Sequence, residues 1–390
     1  MGKTLSRILL ALAGAGLIAT AQAAGVSDKE IVLGTHMDLS GPAAAGMAWI
    51  RNGTQMRIDE ANEAGGINGR KIRLIVEDNA GQPQQAVRAM QKLINKDEVF
   101  AFINCFGTPT NLAAVKLAVD AKAIYFAPWG ASLAFQGAAK SPLVFTTVAN
   151  YHTTTTTSVS WAIKTWGVKK IGLVYMEGAY GDLLKMGLKP ALEAHGLQLT
   201  AEAGFKPGDI DLSSQIAKMK QAGVELILVG AVLREAIAAM GEVKKLGWTD
   251  VKVMTALPGR NRSVSDLGKD TVEGLYGVGG WRLFYYETAT PAVKKWIESY
   301  RARFKGEPNE NSSNAYSYAD WLLKGIQAAG RDLTTEKLVQ VLQASSQEDF
   351  TTYARQTFKN NHIDPELVEI DQVKGGRWVS IAPPMSGLIK

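Results

Sequence analysis

The sequence predicts an α/β protein made of two doubly wound, Rossmann-like lobes joined by a multi-strand hinge. Three observations carry that reading. Short apolar or β-branched runs recur at 31–35, 72–77, 99–103 and 124–127, separated by stretches whose apolar residues fall three and four apart. The same alternation restarts after Tyr151. A length of 390 residues exceeds what one ordinary core accommodates and suits two.

Residues 1–23 have the form of a secretory signal. Lys3 and Arg7 make a basic start, 8–19 an apolar run, and Ala21-Gln22-Ala23 a small-residue cleavage site that places the mature start near Ala24. The apolar run falls short of the roughly 20 residues a membrane span needs, so a soluble, exported protein is expected. The first strand-like runs lack polar alternation, as parallel strands covered on both faces do. Between them, 84–95 places Val87, Met90, Leu93 and Ile94 on one helical face, and 111–121 turns Leu112, Val115 and Val119 inward. A βαβ series of this kind winds into a parallel sheet.

In the second half, strands at 171–175, 226–229 and 251–254 alternate with helices around 181–195, 212–222 and 235–246. Gly196, Gly223 and Gly247 each follow a last helical turn, where a left-handed residue commonly closes a helix. The threonine run 153–157, placed just after Asn150, fits a helix start better than a ligand cluster. Further helices are expected over 292–304 and 312–329, then one capped by Thr334, with returning strands near 368–373 and 378–381. The expected N-terminal lobe is 24–146 plus 278–360, and the C-terminal lobe 147–277 plus 361–390. A chain that crosses repeatedly between lobes builds a hinge, and the space between hinged lobes suits a small molecule.

Charge and motifs narrow the chemistry. The formal net charge of +6 falls to +4 without Lys3 and Arg7, and basic residues interleave with acidic ones, as in Arg70-Lys71-Ile72-Arg73 before Glu77-Asp78. That pattern describes solvated faces and argues against nucleic acid as a partner. Cys105 is the only cysteine, so packing and not an internal disulfide must hold the fold. His36, His152, His195 and His362 are scattered without metal-ligand spacing, and no metal or cofactor is expected. Gly130-Ala131-Ser132-Leu133-Ala134 lacks the second glycine of a nucleophile elbow, and the dinucleotide-like match at 14–19 lies in the signal segment with no strand before it. These absences point away from an enzyme.

Three segments together are specific. Asp38-Leu39-Ser40-Gly41-Pro42 follows the first strand; Asp59-Glu60-Ala61-Asn62-Glu63-Ala64-Gly65-Gly66-Ile67-Asn68-Gly69-Arg70-Lys71 leads into the second; and Gln82-Pro83-Gln84-Gln85-Ala86-Val87 opens the next helix. They resemble the leucine/isoleucine/valine-binding family of periplasmic proteins, type I solute-binding components of ABC importers. The likeness spans essentially the whole mature chain, including Glu177-Gly178-Ala179-Tyr180-Gly181 and Gly274-Leu275-Tyr276. It implies a monomer that closes on a small molecule and delivers it to a permease at the inner membrane. A periplasmic sensor partnered with a chemoreceptor is the alternative from a different functional class.

The resemblance also implies a site. The loop carrying Phe106, Gly107 and Thr108 is similar to the one that holds a ligand carboxylate in the family, although Gly107 and Thr108 equally suit the capping of the helix that follows. Trp129, Gly130 and Ala131 stand in a second contact loop, with Trp129 either stacking on the ligand or belonging to the core. Tyr180 matches the aromatic contact of the second lobe. Where amino-acid binders of the family present a Glu and a Tyr to the ammonium group, this chain has Leu257 and Val232. Burying an ammonium against them leaves a charge unpaired at a cost of several kcal/mol. A carboxylate with an aromatic or apolar body is therefore expected, and a branched-chain amino acid is the alternative. Arg234, Arg260 and Arg262 stand either as partners for a second anionic group or as solvated rim charges.

Overall fold

The computed structural model describes residues 23–130 and 141–390. Nearly all of the expected signal segment, and the whole of 131–140 with Ala131, lie outside the described residues.

The first lobe is built on a parallel sheet of five strands in the order β2-β1-β3-β4-β5: β1 (Glu30–Met37), β2 (Lys71–Asp78), β3 (Ala101–Ile103), β4 (Ile124–Phe126) and β5 (Val144–Phe145). Both faces are covered, which is why β1 reads as a nearly unbroken apolar run. Val32 packs with Met90, Leu93 and Val115 of α2 (Pro83–Asn95) and α3 (Thr108–Asp120). Ile31 and Leu33 belong to the core on the other face, with Met47, Ile50 and Ile58 of α1 (Ala44–Glu63). Each such fully buried side chain contributes about 1.5–3 kcal/mol.

The second lobe repeats the plan after α4 (Tyr151–Trp166), which opens on Asn150 accepting from the His152 amide. Its seven-stranded sheet has the order β15-β14-β10-β9-β8-β6-β7, comprising β6 (Ile171–Met176), β7 (Leu199–Phe205), β8 (Leu226–Gly230), β9 (Lys252–Thr255), β10 (Tyr276–Gly279), β14 (Val368–Lys374) and β15 (Arg377–Met385). β6 to β10 run parallel, and β14 and β15 return antiparallel at one edge. Val174, Ile227 and Val229 pack on α6 (Ser213–Gln221) and α7 (Arg234–Lys245), while Leu173, Leu226 and Leu228 share a core with α4 and α5 (Ala179–Glu193). Gly196, Gly223 and Gly247 adopt φ of +67°, +66° and +57°, the left-handed turn expected of them.

The chain then passes back. After α8 (Arg262–Gly268) and β10 it supplies α9 (Pro291–Phe304), α10 (Glu310–Ala329) and α11 (Thr335–Gln343) to the first lobe, where α10 lies along α1. A small antiparallel sheet of β11 (Ser346–Gln347), β12 (Gln356–Lys359) and β13 (His362–Asp364) follows. Phe358 of β12 stacks on Trp321 and packs against Phe126 and Phe145, tying this sheet to the first lobe. Among the described residues the chain thus passes between lobes after Phe145, after Gly279 and after Asp364. The expected boundary at 277/278 falls inside β10. That at 360/361 falls in the β12–β13 turn, and ladder pairing keeps both strands together.

Candidate binding cleft

The sheets place the C-terminal ends of β1, β3 and β4 opposite those of β6, β8 and β9, and the loops beyond those ends enclose a cavity of about 270 Å³. Such edges are where ligands of open α/β sheets gather. From the first lobe the wall includes Phe106, Gly107, Thr108, Trp129 and Gly130; from the second it includes Tyr180, Val232, Arg234 and Leu257. The loops that sequence reasoning singled out therefore converge.

A buried polar chain holds the first-lobe loops. Tyr125 donates to Asn111 Oδ1 at 2.6 Å, and Asn111 Nδ2 donates to the carbonyl oxygens of Cys105 and Trp129 at 3.1 and 2.8 Å. His36 Nε2 lies 2.9 Å from the Tyr125 oxygen, and Asn79 Nδ2 lies 2.9 Å from His36 Nδ1. Because the Tyr125 proton goes to Asn111 and Asn79 Nδ2 is a donor, His36 is the neutral Nε2–H tautomer. Burial pushes its pKa down to about 3, consistent with a ring that stays uncharged.

Gly107 shapes this loop and does not offer its amide to the cleft. That amide donates 2.9 Å to the Trp129 carbonyl, closing a bridge between the two loops. Its φ of +104° and the 2.4 Å approach of Thr110 Oγ1 to any added Cβ admit only glycine. The Gly107 amide is thus already engaged, while Gly107 and Thr108, at the start of α3, both line the cavity. Trp129 is both core and wall. Its Nε1 donates to Asn104 Oδ1 at 3.1 Å, and its ring packs 6.0 Å from Tyr318 and 6.2 Å from Trp281, while the side chain still lines the cavity.

Across the cleft, Tyr180 packs edge-on to Tyr151 at 5.0 Å. Its buried hydroxyl has no hydrogen-bond partner among the described residues. Burial, then the neighbouring Tyr151 and Glu235, raise its pKa well above the tyrosine range, so it stays protonated. Leu257 is buried against the cavity, and Val232 is half-buried beside it.

The three arginines separate. Arg234 is exposed and lines the cavity edge. Arg260 does not line the cavity: it is 1% exposed, its Nε donates to Asp371 Oδ2 at 2.5 Å, Nη1 to the Trp281 carbonyl at 2.6 Å, and Nη2 to Glu369 Oε2 at 3.2 Å. Its guanidinium lies against Gly279 of β10, where a Cβ would come within 2.3 Å of Nη1. Burial opposes its charge, but Tyr353, Asp371 and Glu369 outweigh that and hold it protonated. Arg262 lies over the Tyr285 ring at 5.0 Å and donates to the Phe284 carbonyl, also away from the cavity. Its amide donates 2.9 Å to the buried Glu310 of α10, and Asn309 Nδ2 donates 3.2 Å to Ser263 Oγ, so the lobes are bonded to each other at this end.

Sequence reasoning missed Tyr151, Trp281 and Glu235, which also line the cavity. The first two stand where the chain passes between lobes, so only topology brings them here. The Trp281 indole N–H is buried without a partner among the described residues. Glu235 follows Arg234 in the first turn of α7, is 5% exposed, and its carboxylate has no hydrogen bond or ion pair among the described residues.

Two α/β lobes, joined by repeated chain passages around a cavity with orphaned polar groups, have the architecture of a binder of small solutes. A profile of the family described as "Periplasmic binding protein" matches residues 30–376, and the chain belongs to that family. The Leu/Ile/Val-binding protein homolog 8 of Brucella suis is 22% identical over 403 residues, covering 99% of this chain and 98% of that protein. A fatty acid ABC transporter substrate-binding protein from Thermomonospora curvata matches with a TM-score of 0.83 at 25% identity, covering 94% of this chain and 95% of that one. A solute-binding protein of an ABC transporter from R. palustris, solved in complex with benzoate, matches with a TM-score of 0.81 at 18% identity, covering 92% and 98%. The expected type I fold and periplasmic family are those found, and these relatives are binding proteins rather than enzymes.

Proposed function

We propose that this protein is the periplasmic solute-binding component of an ABC importer and that its solute is a carboxylate with an aromatic or otherwise apolar body. The observation that carries this is the make-up of the cavity. Phe106, Trp129, Tyr151, Tyr180, Trp281 and Leu257 form its walls, and the N-terminal end of α3 opens into it at Thr108. The first N–H groups of a helix lack intrahelical acceptors and carry the positive end of the helix dipole, which favours an anion there. The carboxylate binds at Thr108 and its body packs between Trp129 and the second-lobe face of Tyr180, Val232 and Leu257. The likeness to the fatty acid ABC transporter substrate-binding protein from Thermomonospora curvata supports an apolar acid, and the benzoate complex indicates that the fold accommodates a flat one. The chain acts as a monomer that delivers its solute to an inner-membrane permease, after removal of the signal near Ala23.

One observation favours a second reading, that of an amino-acid binder. Glu235 supplies an acidic group in the second-lobe wall, where an ammonium would need one.

The test is a thermal-shift screen of protein refolded to remove carried-over solute, with leucine, benzoate-like and phenylpropanoid-like acids, and aliphatic mono- and dicarboxylates. A ligand at 100 times its Kd stabilises the native state by about 2.7 kcal/mol, which such a screen resolves. A shift with aromatic or apolar acids and none with leucine supports the proposal. A shift with leucine alone replaces it with the second reading.

A further inference from the structure

We propose that Glu310 is an interlobe clasp: its carboxyl group docks on the N-terminus of α8 when the lobes are closed, and parting the lobes returns it to water. This inference rests on the reading of the cleft as the solute cavity and adds what governs its closing.

The contact joins two helix starts, each fixed to its own lobe. On the second lobe α8 begins at Arg262, and the Trp378 indole of β15 donates 2.9 Å to the carbonyl of its cap, Asn261. On the first lobe α10 begins at Glu310, Asn104 Nδ2 donates 3.2 Å to the Ala315 carbonyl, and α1 packs so near Ser312 that Gly53 has no room for a Cβ. Between the two, Glu310 Oε1 accepts from the Arg262 amide at 2.9 Å and Asn309 Nδ2 donates to Ser263 Oγ at 3.2 Å. Asn261 and Asn311 line the cavity, so the clasp borders the solute space. Glu310 is 0% exposed, and its Oε2 is buried with no hydrogen-bond partner among the described residues. A carboxyl group with one amide as its partner is desolvated without full compensation and favours its proton.

The surrounding charges do not reverse this. Arg260 and Arg262 favour the ionised form, but Arg260 is committed to Asp371 and Glu369, and Arg262 lies 3.8 Å from Asp266. Burial keeps Tyr285 protonated, Glu307 pairs with Arg301 at 2.8 Å, and Arg51 of α1 is exposed. Burial, the largest influence, pushes the Glu310 carboxyl from 4.5 up to about 7. Opening the lobes restores the ordinary value, so closure takes up a proton: it is favoured below pH 4.5 and weakened as pH rises to 7. Solute affinity falls over the same window.

The experiment needs no solute, so its outcome is separate from that of the carboxylate reading. Spin labels on Ala48→Cys and Ile210→Cys, both exposed, one on α1 and one in the loop after β7, report lobe separation by pulsed electron resonance in the refolded full-length mature protein, where Cys105 is buried. With Glu310 intact, the closed-to-open ratio should fall about tenfold or more from pH 5 to 8. Glu310→Gln keeps an acceptor for the Arg262 amide and guards against misfolding; its ratio should stay within about twofold across that range. Glu310→Ala should lose about tenfold of the closed form already at pH 5. A ratio that is flat in pH with Glu310 intact, a fall that persists in Glu310→Gln, or an unchanged closed population in Glu310→Ala at pH 5 overturns the clasp.

Discussion

Replacing Arg260 with methionine tests whether this residue, buried and not the solvated rim charge the sequence also allowed, is a structural cation or a partner for an anionic solute group. The guanidinium is 1% exposed and pairs with Asp371 and Glu369, whose side chains are 4% and 17% exposed. Removing the cation leaves Asp371 buried beside a carbonyl and a second carboxylate. Breaking a buried pair from one side costs about 3–5 kcal/mol. With an unfolding entropy of about 2.1 cal/mol/K per residue over roughly 365 residues, that loss lowers Tm by about 4–7 °C if the lobes unfold together. Differential scanning calorimetry measures it, with calorimetric titration of the solute alongside. Arg260→Met combined with Asp371→Leu should recover at least half of the loss, because an apolar pair leaves no buried charge at Asp371. If Arg260→Met changed stability by less than about 0.5 kcal/mol but abolished binding, the reading of Arg260 as a buried structural cation would be wrong and Arg260 would be a ligand cation.

Three further outcomes follow from buried titratable groups. His36, held neutral with a pKa near 3, leaves the unfolded chain binding the extra proton below its ordinary 6.5. The native state should therefore lose roughly 2–3 kcal/mol between pH 6.5 and 4.5 from this group, a slope that His36→Gln should flatten in pH-dependent urea denaturation. Glu310 has the opposite sign. Burial pushes it from 4.5 up to about 7, so its contribution is fully present below pH 4.5 and lost as pH rises to 7. Glu310→Gln should accordingly gain roughly 3 kcal/mol relative to wild type across that window, and equal slopes would refute the burial of this carboxyl. Cys105 is buried, with its thiol pushed up to about 11, so a thiol reagent should modify it only as fast as the native protein opens. Rapid labelling at pH 8 without denaturant would contradict that placement.

Much of the fold was legible because strands covered on both faces leave an unmistakable mark. The runs at 72–77, 171–175 and 226–229 became β2, β6 and β8 to within a residue at either end or so. β7 escaped because it is the edge strand of its sheet, where Leu199, Ala201 and Ala203 alternate with exposed Thr200, Glu202 and a half-buried Gly204. β5 and β11 span two residues each, too short for any period to show. The site was legible where it depends on loops that directly follow strands, as for Phe106, Trp129, Tyr180 and Leu257. It was not legible where distant segments meet. The carboxylate partners of Arg260 lie 111 and 109 residues further along the chain. Glu235 was passed over beside Arg234, because one acidic residue in the first turn of a helix is ordinary sequence and only the cavity reveals that its carboxylate has no partner.

The most direct test of a carboxylate bound in this cleft is the affinity of Trp129→Ala for the acid that gives the largest thermal shift, measured by titration calorimetry on protein shown to be folded by circular dichroism. Trp129 presents a large flat side chain in the first-lobe wall, and losing an aromatic contact of this kind costs about 1.4 kcal/mol or more. The predicted result is at least a tenfold rise in Kd. An unchanged Kd would place the solute elsewhere and contradict the assignment of the cleft.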